Sequence, residues 1–206
     1  MSNVVPDPAG TSPQTARVVN VANALTVLRL VLVPVFAVIL LHDGGSGDGS
    51  RLAACGVFVV ASLTDRVDGD LARRRGLVTD FGKLADPIAD KALTGTALVA
   101  LSALGELAWW VTVVILAREI GVTVLRFWVI RHGVLPASRG GKVKTTVQGV
   151  AIGLYLLPHA AWLSVLAGTV MGAAVVLTVV TGGDYVVRAV SLRRASRRAA
   201  SAGEGA

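Results

Sequence analysis

Residues 65–91 read DRVDGDLARRRGLVTDFGKLADPIADK and lie between apolar segments long enough to cross a bilayer. On a helix, positions i, i+3, i+4 and i+7 share a face. Asp65, Asp68, Gly69 and Ala72 therefore form one stripe, and Asp86 and Asp90 form a second. The stretch between them, with Gly76 and Asp80, has room for a turn between antiparallel helices. If the stripes face each other, four carboxylates meet at one point. Each aspartate near a bilayer centre costs roughly 2.5–3.5 kcal/mol on the insertion scale, and clustering adds like-charge repulsion. Divalent cations remove the difficulty. Carboxylates with water and phosphate oxygens suit Mg²⁺ or Mn²⁺, and a pair of such ions suits phosphoryl transfer. Gly69 and Ala72 leave the stripe nearly bare, so a bulky ligand can approach the backbone, and Arg73 can meet a phosphate.

The rest of the chain has a membrane composition. Of its 206 residues 53% are hydrophobic and only 16% charged, and the mean hydropathy is +0.67. These values point to an all-α integral membrane protein rather than a soluble domain. The net charge of +7 would suggest nucleic acid in a soluble protein. Here the cations cluster in short loops and the tail, which fits anionic lipid headgroups and the positive-inside rule better, and no nucleic-acid partner is expected. The single cysteine, Cys55, permits no intrachain disulfide and reads as a small buried hydrophobe.

Residues 1–15 are rich in Pro, Ser, Thr and Gly and read as a disordered tail. No secretory leader is expected, since the first apolar run starts late and no A-x-A-like site follows it. Six spans are expected. The first covers residues 23–41, with Asn23, Thr26 and Arg29 near its start and Pro34 as a kink site. Arg29 can snorkel to the interface or serve a site. The second leads into the Asp65 stripe and ends at Arg73–Arg75, with Gly76 as its cap. The third starts after Thr79 or Asp80 and runs through Pro87 to about residue 104.

The fourth span covers 109–130, with Trp109 and Trp110 as an interfacial belt and Arg118, Glu119 and Arg126 inside it. Adjacent helical residues point about 100° apart, so Arg118 is expected to serve something other than Glu119. The loop 131–144 holds Arg131, His132, Arg139, Lys142 and Lys144 and no acid. Its glycines and cations suit an anion pocket or simply an inner-face loop, and charge alone does not separate the two. A fifth span at about 143–157 is followed by Pro158 and an interfacial His159. The sixth runs from about 162 to 180 or 187, marked at its inner end by Asp184 and Arg188, with a basic tail after it. The domain expectation is thus a tail (1–15), a six-helix domain (16–190) and a basic tail (191–206). Placing the basic loops inside puts both termini in the cytoplasm and the aspartates near the cytoplasmic surface.

The run D-x2-D-G-x2-A-R-x8-G-x3-D-x3-D is the signature of the CDP-alcohol phosphotransferases. The chain resembles that family at all eight fixed positions: Asp65, Asp68, Gly69, Ala72, Arg73, Gly82, Asp86 and Asp90. The resemblance implies a six-helix transmembrane enzyme, usually a homodimer, with two Mg²⁺ or Mn²⁺ ions on Asp65, Asp68, Asp86 and Asp90. It further implies Asp90 as the base for the acceptor hydroxyl, and Asp65, Asp68, Gly69, Ala72 and Arg73 as the CDP site.

NALTVLR (23–29), TDFGKLADPIADK (79–91), AREIGVTVLR (117–126) and GKVKTTVQ (141–148) also resemble the bacterial branch that joins CDP-diacylglycerol to sn-glycerol 3-phosphate. That resemblance implies a bacterial plasma-membrane enzyme. It places Arg118, Lys142, Lys144 and, as a fourth, Arg139 on the acceptor phosphate, and Asn23, Thr26 and Arg29 in support of the donor site. Two departures are Ala22, where many relatives have Pro, and Arg66, where an aromatic is usual. Cardiolipin-forming and inositol-phosphate enzymes of the same family are the near alternatives, and an ion-binding transporter is a remote one. A transporter would spread its acids along a path, whereas here they are concentrated at the inner ends of two helices.

Overall fold

The computed structural model describes residues 21–75, 80–129, 139–158 and 160–203, with side chains for 24–64, 88–89, 91–125, 140–158 and 160–193. The expected tail 1–15, the caps at Gly76 and Thr79, and His159 lie outside the described residues. Among the described residues six α-helices follow one another: α1 (Val21–Leu41), α2 (Asp48–Arg75), α3 (Asp80–Ala103), α4 (Trp109–Val129), α5 (Arg139–Leu156) and α6 (Ala161–Gly203). α1 packs on α2 and α3, α6 packs on α4 and α5, and the two groups meet where α2 touches α5 and α3 touches α4 and α5.

Between α1 and α2 the chain reverses through a short 3₁₀ turn, His42–Gly45, with Asp43, Gly44 and Gly45 at positive φ. Gly45 is needed twice over. Its φ is +72°, and a Cβ there would stand 2.6 Å from Leu104 Cδ1. α3 ends on Gly105 at φ +78°. Its amide reaches Ser102 O at 3.1 Å while Glu106 N reaches Leu101 O at 3.0 Å, the paired bonds of a Schellman cap.

Arg51 then ties this end of the bundle together. It is only 1% exposed. Its Nη2 donates to Glu106 Oε2 at 2.8 Å and to Tyr155 O, and its Nη1 to Glu106 Oε1 and to Gly45 O at 3.0 Å. Nε donates to Leu157 O at 3.2 Å. All five guanidinium donors are used. The three connections near residues 45, 106 and 157 therefore lie at one end, and the helices alternate in direction.

The core is apolar toward this end. Phe36 and Phe58 meet with ring centroids 6.0 Å apart, and alanines such as Ala54, Ala61, Ala97, Ala151 and Ala174 let the helices approach closely. Cys55 is half-buried, with Sγ 3.8 Å from Gly153 O on α5. The exterior is as apolar as the interior. Val31 and Val38 on α1, Val60 on α2, Val99 on α3, Trp110 and Val124 on α4, Val150 on α5 and Val176 on α6 are all exposed. Exposed apolar side chains of this kind suit contact with lipid.

Among the described residues, only Ala24–Gly45 and Ala161–Arg193 are individually long and apolar enough to cross a membrane by length and composition. α2 carries Asp48, Arg51 and the signature residues, α4 carries Arg118 and Glu119, and α5 has only 18 residues. Those 18 still reach about 27 Å at 1.5 Å per residue.

Two expected boundaries move. α5 starts at Arg139, so Lys142 and Lys144 are helical rather than in a loop. Gly140 serves close packing: a Cβ there would lie 3.1 Å from Thr181 Cγ2 on α6. α6 runs on to Gly203 because its Ala- and Arg-rich end favours helix.

Candidate active site

Three buried stripes define where chemistry can occur. On α2 the buried residues Arg51, Ala54, Phe58 and Ala61 follow alternating steps of three and four. Continued in the same register, the stripe falls on Asp65, Asp68 and Ala72. On α3 the stripe Ala100, Ala97 and Leu93, continued toward the N-terminus, falls on Asp90 and Asp86. On α1, Leu40 and Phe36 lead back to Arg29 and Thr26. Apart from Arg51 the described stripe residues are apolar, until α1 reaches Arg29 and Thr26 and, by sequence register, α2 and α3 reach the aspartates.

The side chains of Asn23, Asp65, Asp68, Ala72, Arg73, Asp86, Asp90, Arg126 and Arg139 lie outside the described residues, as does Gly69's surroundings. Their helical positions are described: five signature positions toward the C-terminal end of α2, three (Gly82, Asp86 and Asp90) on the first three turns of α3, and Arg139 as the first residue of α5. Arg29 is 2% exposed, so it does not snorkel. A guanidinium held this deep requires compensating charge, and α1 packs against both helices that carry the aspartates.

At the same polar end, α3, α4 and α5 bring three cations onto one carboxylate. Lys144, 2% exposed, donates through Nζ to Glu119 Oε1. Arg118 Nη1 donates to the same oxygen at 3.1 Å. Lys91 Nζ donates to Glu119 Oε2 at 3.2 Å, to Glu119 O at 3.1 Å and to Thr123 Oγ1 at 2.7 Å. Arg118 Nη2 reaches Thr181 Oγ1 on α6 at 3.3 Å. Gly182 makes room for that arm, since a Cβ there would lie 3.2 Å from Arg118 Cγ. The cluster has three positive charges and one negative, an excess of two.

Beside it is a cavity of about 380 Å³ between α3, α4 and α5, with Lys91, Glu119, Lys144, Thr145 and Gln148 among its lining residues. Gln148 is 3% exposed, and its Oε1 has no hydrogen-bond partner among the described residues. Lys144 and Gln148 are four apart on α5 and share a face.

The sequence expectations are thus redistributed. Arg118 and Lys144 meet; Lys142 does not join them. It is exposed, because residues two apart on a helix stand on opposite sides. Arg118 does pair with Glu119, contrary to the expectation from their 100° separation. Both side chains are long enough to bend to a shared point. Lys91, Glu119, Gln148 and Thr181 were not singled out as site residues. The i+4 spacing of Lys144 and Gln148 was the one signal in the sequence; the other contacts join helices far apart in the chain.

The chain matches the family model described as CDP-alcohol phosphatidyltransferase over residues 19–180. It is 59% identical over 175 residues to the probable phosphatidylglycerophosphate synthase of Mycobacterium tuberculosis (strain ATCC 25618 / H37Rv), covering 85% of this chain and 84% of the relative. It is 39% identical over 179 residues to the CDP-diacylglycerol–glycerol-3-phosphate 3-phosphatidyltransferase of Bacillus subtilis (strain 168), covering 81% of this chain and 93% of the relative. The protein of the same name from Shigella flexneri serotype 5b (strain 8401) is 36% identical over 165 residues, covering 77% and 88%.

Proposed function

We propose that this chain, which belongs to the CDP-alcohol phosphatidyltransferase family, transfers the phosphatidyl group of CDP-diacylglycerol to sn-glycerol 3-phosphate, giving phosphatidylglycerophosphate and CMP. The observation that carries this reading is the shared polar end of the bundle. The helical positions of the four aspartates and the Arg118–Lys144 cluster lie at that end, which supports reading the two as neighbouring donor and acceptor sites.

An all-oxygen set of four carboxylates, continuing two buried stripes, fits two Mg²⁺ or Mn²⁺ ions. Asp65, Asp68, Asp86 and Asp90 would hold them, and the bound ions would offset charge on the transferring phosphate and on departing CMP. Asp65, Asp68, Gly69, Ala72 and Arg73 hold the CDP portion. Thr26 and Arg29, buried on α1, support the donor site together with Asn23. Arg118 and Lys144 hold the acceptor's phosphate, with Arg139, the first residue of α5, as a further cation. Asp90 takes the proton from the acceptor hydroxyl. The hydroxyl oxygen bonds to the lipid-side phosphorus, the bond from that phosphorus to the bridging oxygen breaks, and CMP leaves with the electron pair.

The enzyme spans a bacterial plasma membrane six times as a homodimer, with both termini and the polar end at the cytoplasmic side. The apolar exterior on all six helices and the basic connections support this topology. The test is mass spectrometry of the lipid formed by purified protein from CDP-diacylglycerol and sn-glycerol 3-phosphate with Mg²⁺. The expected product is phosphatidylglycerophosphate with its phosphate retained. Cardiolipin or an inositol lipid, formed only when another acceptor is supplied, would reassign the acceptor.

A further inference from the structure

Among the described residues Glu119 is the one acid in this group of cations, and a pocket meant only to attract a phosphate has no use for it. Its carboxylate is nevertheless the point on which Lys91, Arg118 and Lys144 converge, from three different helices. Without it, three ammonium and guanidinium groups within one carboxylate's reach would repel one another in a setting where Lys144 is almost wholly buried. With it, they are held together and still carry two positive charges in excess. A phosphate monoester near pH 7 carries close to two negative charges, so the excess matches the dianion. The neighbouring cavity and the unpartnered Oε1 of buried Gln148 supply space and a hydrogen-bond acceptor for a hydroxyl on the same ligand.

We propose that Glu119 is a positioning residue that assembles Lys91, Arg118 and Lys144 into a preformed seat for the phosphate monoester of the acceptor. The proposal rests on the transferase reading above and adds two residues to it. Glu119 acts through the cations it holds, and Lys91 joins Arg118 and Lys144 as a third cation of the seat. Thr123 and Thr181 fix the outer arms of the cluster, on Lys91 and Arg118 respectively.

The sign of one substitution separates positioning from simple charge. Glu119→Gln removes a negative charge from an anion site, so charge counting alone predicts a lower KM for glycerol 3-phosphate. Positioning predicts the opposite: a KM for glycerol 3-phosphate raised about tenfold or more, with the KM for CDP-diacylglycerol within about threefold of wild type. Glu119→Asp, which keeps the charge on a shorter arm, should fall between them. Inorganic phosphate, used as a competitive probe, should lose potency in the same order.

An unchanged or lowered KM for glycerol 3-phosphate in Glu119→Gln overturns the proposal. So does an equal rise for both substrates, which marks a general structural defect. If Glu119→Gln does not yield folded protein, Glu119→Asp decides: a selective rise supports the proposal, and none overturns it. Wild-type protein that releases no CMP with glycerol 3-phosphate would instead overturn the transferase reading, a failure seen before any variant is made.

Discussion

Replacing Lys144 by methionine separates acceptor binding from folding more cleanly than any other single change at the site. Methionine keeps most of the stem volume of a side chain that is 2% exposed, so the gap left between α4 and α5 is small. Removing a buried cation usually leaves its partner uncompensated, at about 3–5 kcal/mol. Here Glu119 keeps Arg118 on Oε1 and Lys91 on Oε2, so most of that penalty is avoided. What is lost is one charge-assisted contact to the acceptor phosphate, about 1.5–3 kcal/mol. At 1.4 kcal/mol per decade, kcat/KM for glycerol 3-phosphate should fall between about 10- and 150-fold. The KM for CDP-diacylglycerol should stay within about threefold. The assay is steady-state CMP release in mixed micelles, varying one substrate at a time. Loss of equal size on both substrates, or no loss on either, would refute the assignment of Lys144 to the acceptor.

Other outcomes follow from the same geometry. Lys142→Ala, on the exposed side of α5, should change neither KM by more than about threefold, and a loss as large as that of Lys144→Met would mean α5 presents a different face. Asp90→Asn should abolish turnover while a CDP-lipid still binds, as read by equilibrium binding of labelled donor; normal turnover would remove Asp90 from the base role. Arg51→Leu strips five contacts from the end of the bundle farthest from the aspartates. It should cost about 3–5 kcal/mol of stability, seen as a lower unfolding temperature in detergent. A double-mutant cycle with Glu106→Gln should show strong coupling, and additive losses would contradict the clamp.

Much of this architecture is legible in the sequence because helical period and charge are local properties. The α2 and α3 stripes can be written down from the spacing of Asp65, Asp68, Asp86 and Asp90. The ends of α2 at Arg75 and of α4 at Trp109 coincide with charge and aromatic signals. Long-range pairing is not local, and there the reading stops. Arg51 looks like an ordinary loop cation until the fold brings Glu106, Tyr155 and Leu157 to it. Glu119 was set aside because neighbouring helical residues diverge, a rule about Cβ directions that long side chains evade. The resemblance puts Lys142 and Lys144 on one phosphate, because it matches residue identities and not helical phase. Once α5 begins at Arg139, the helical period sends them to opposite sides. Gly140 and Gly182 each admit a side chain from another helix at close range, another long-range fit that local sequence does not reveal.

The most direct test of the central claim is CMP release by purified protein given CDP-diacylglycerol and Mg²⁺ with glycerol 3-phosphate, phosphatidylglycerol or inositol phosphate as acceptor. Release with glycerol 3-phosphate alone, abolished by chelator and restored by added Mg²⁺ or Mn²⁺, is the predicted result. Release with a different acceptor, or release that survives complete metal removal, would contradict it.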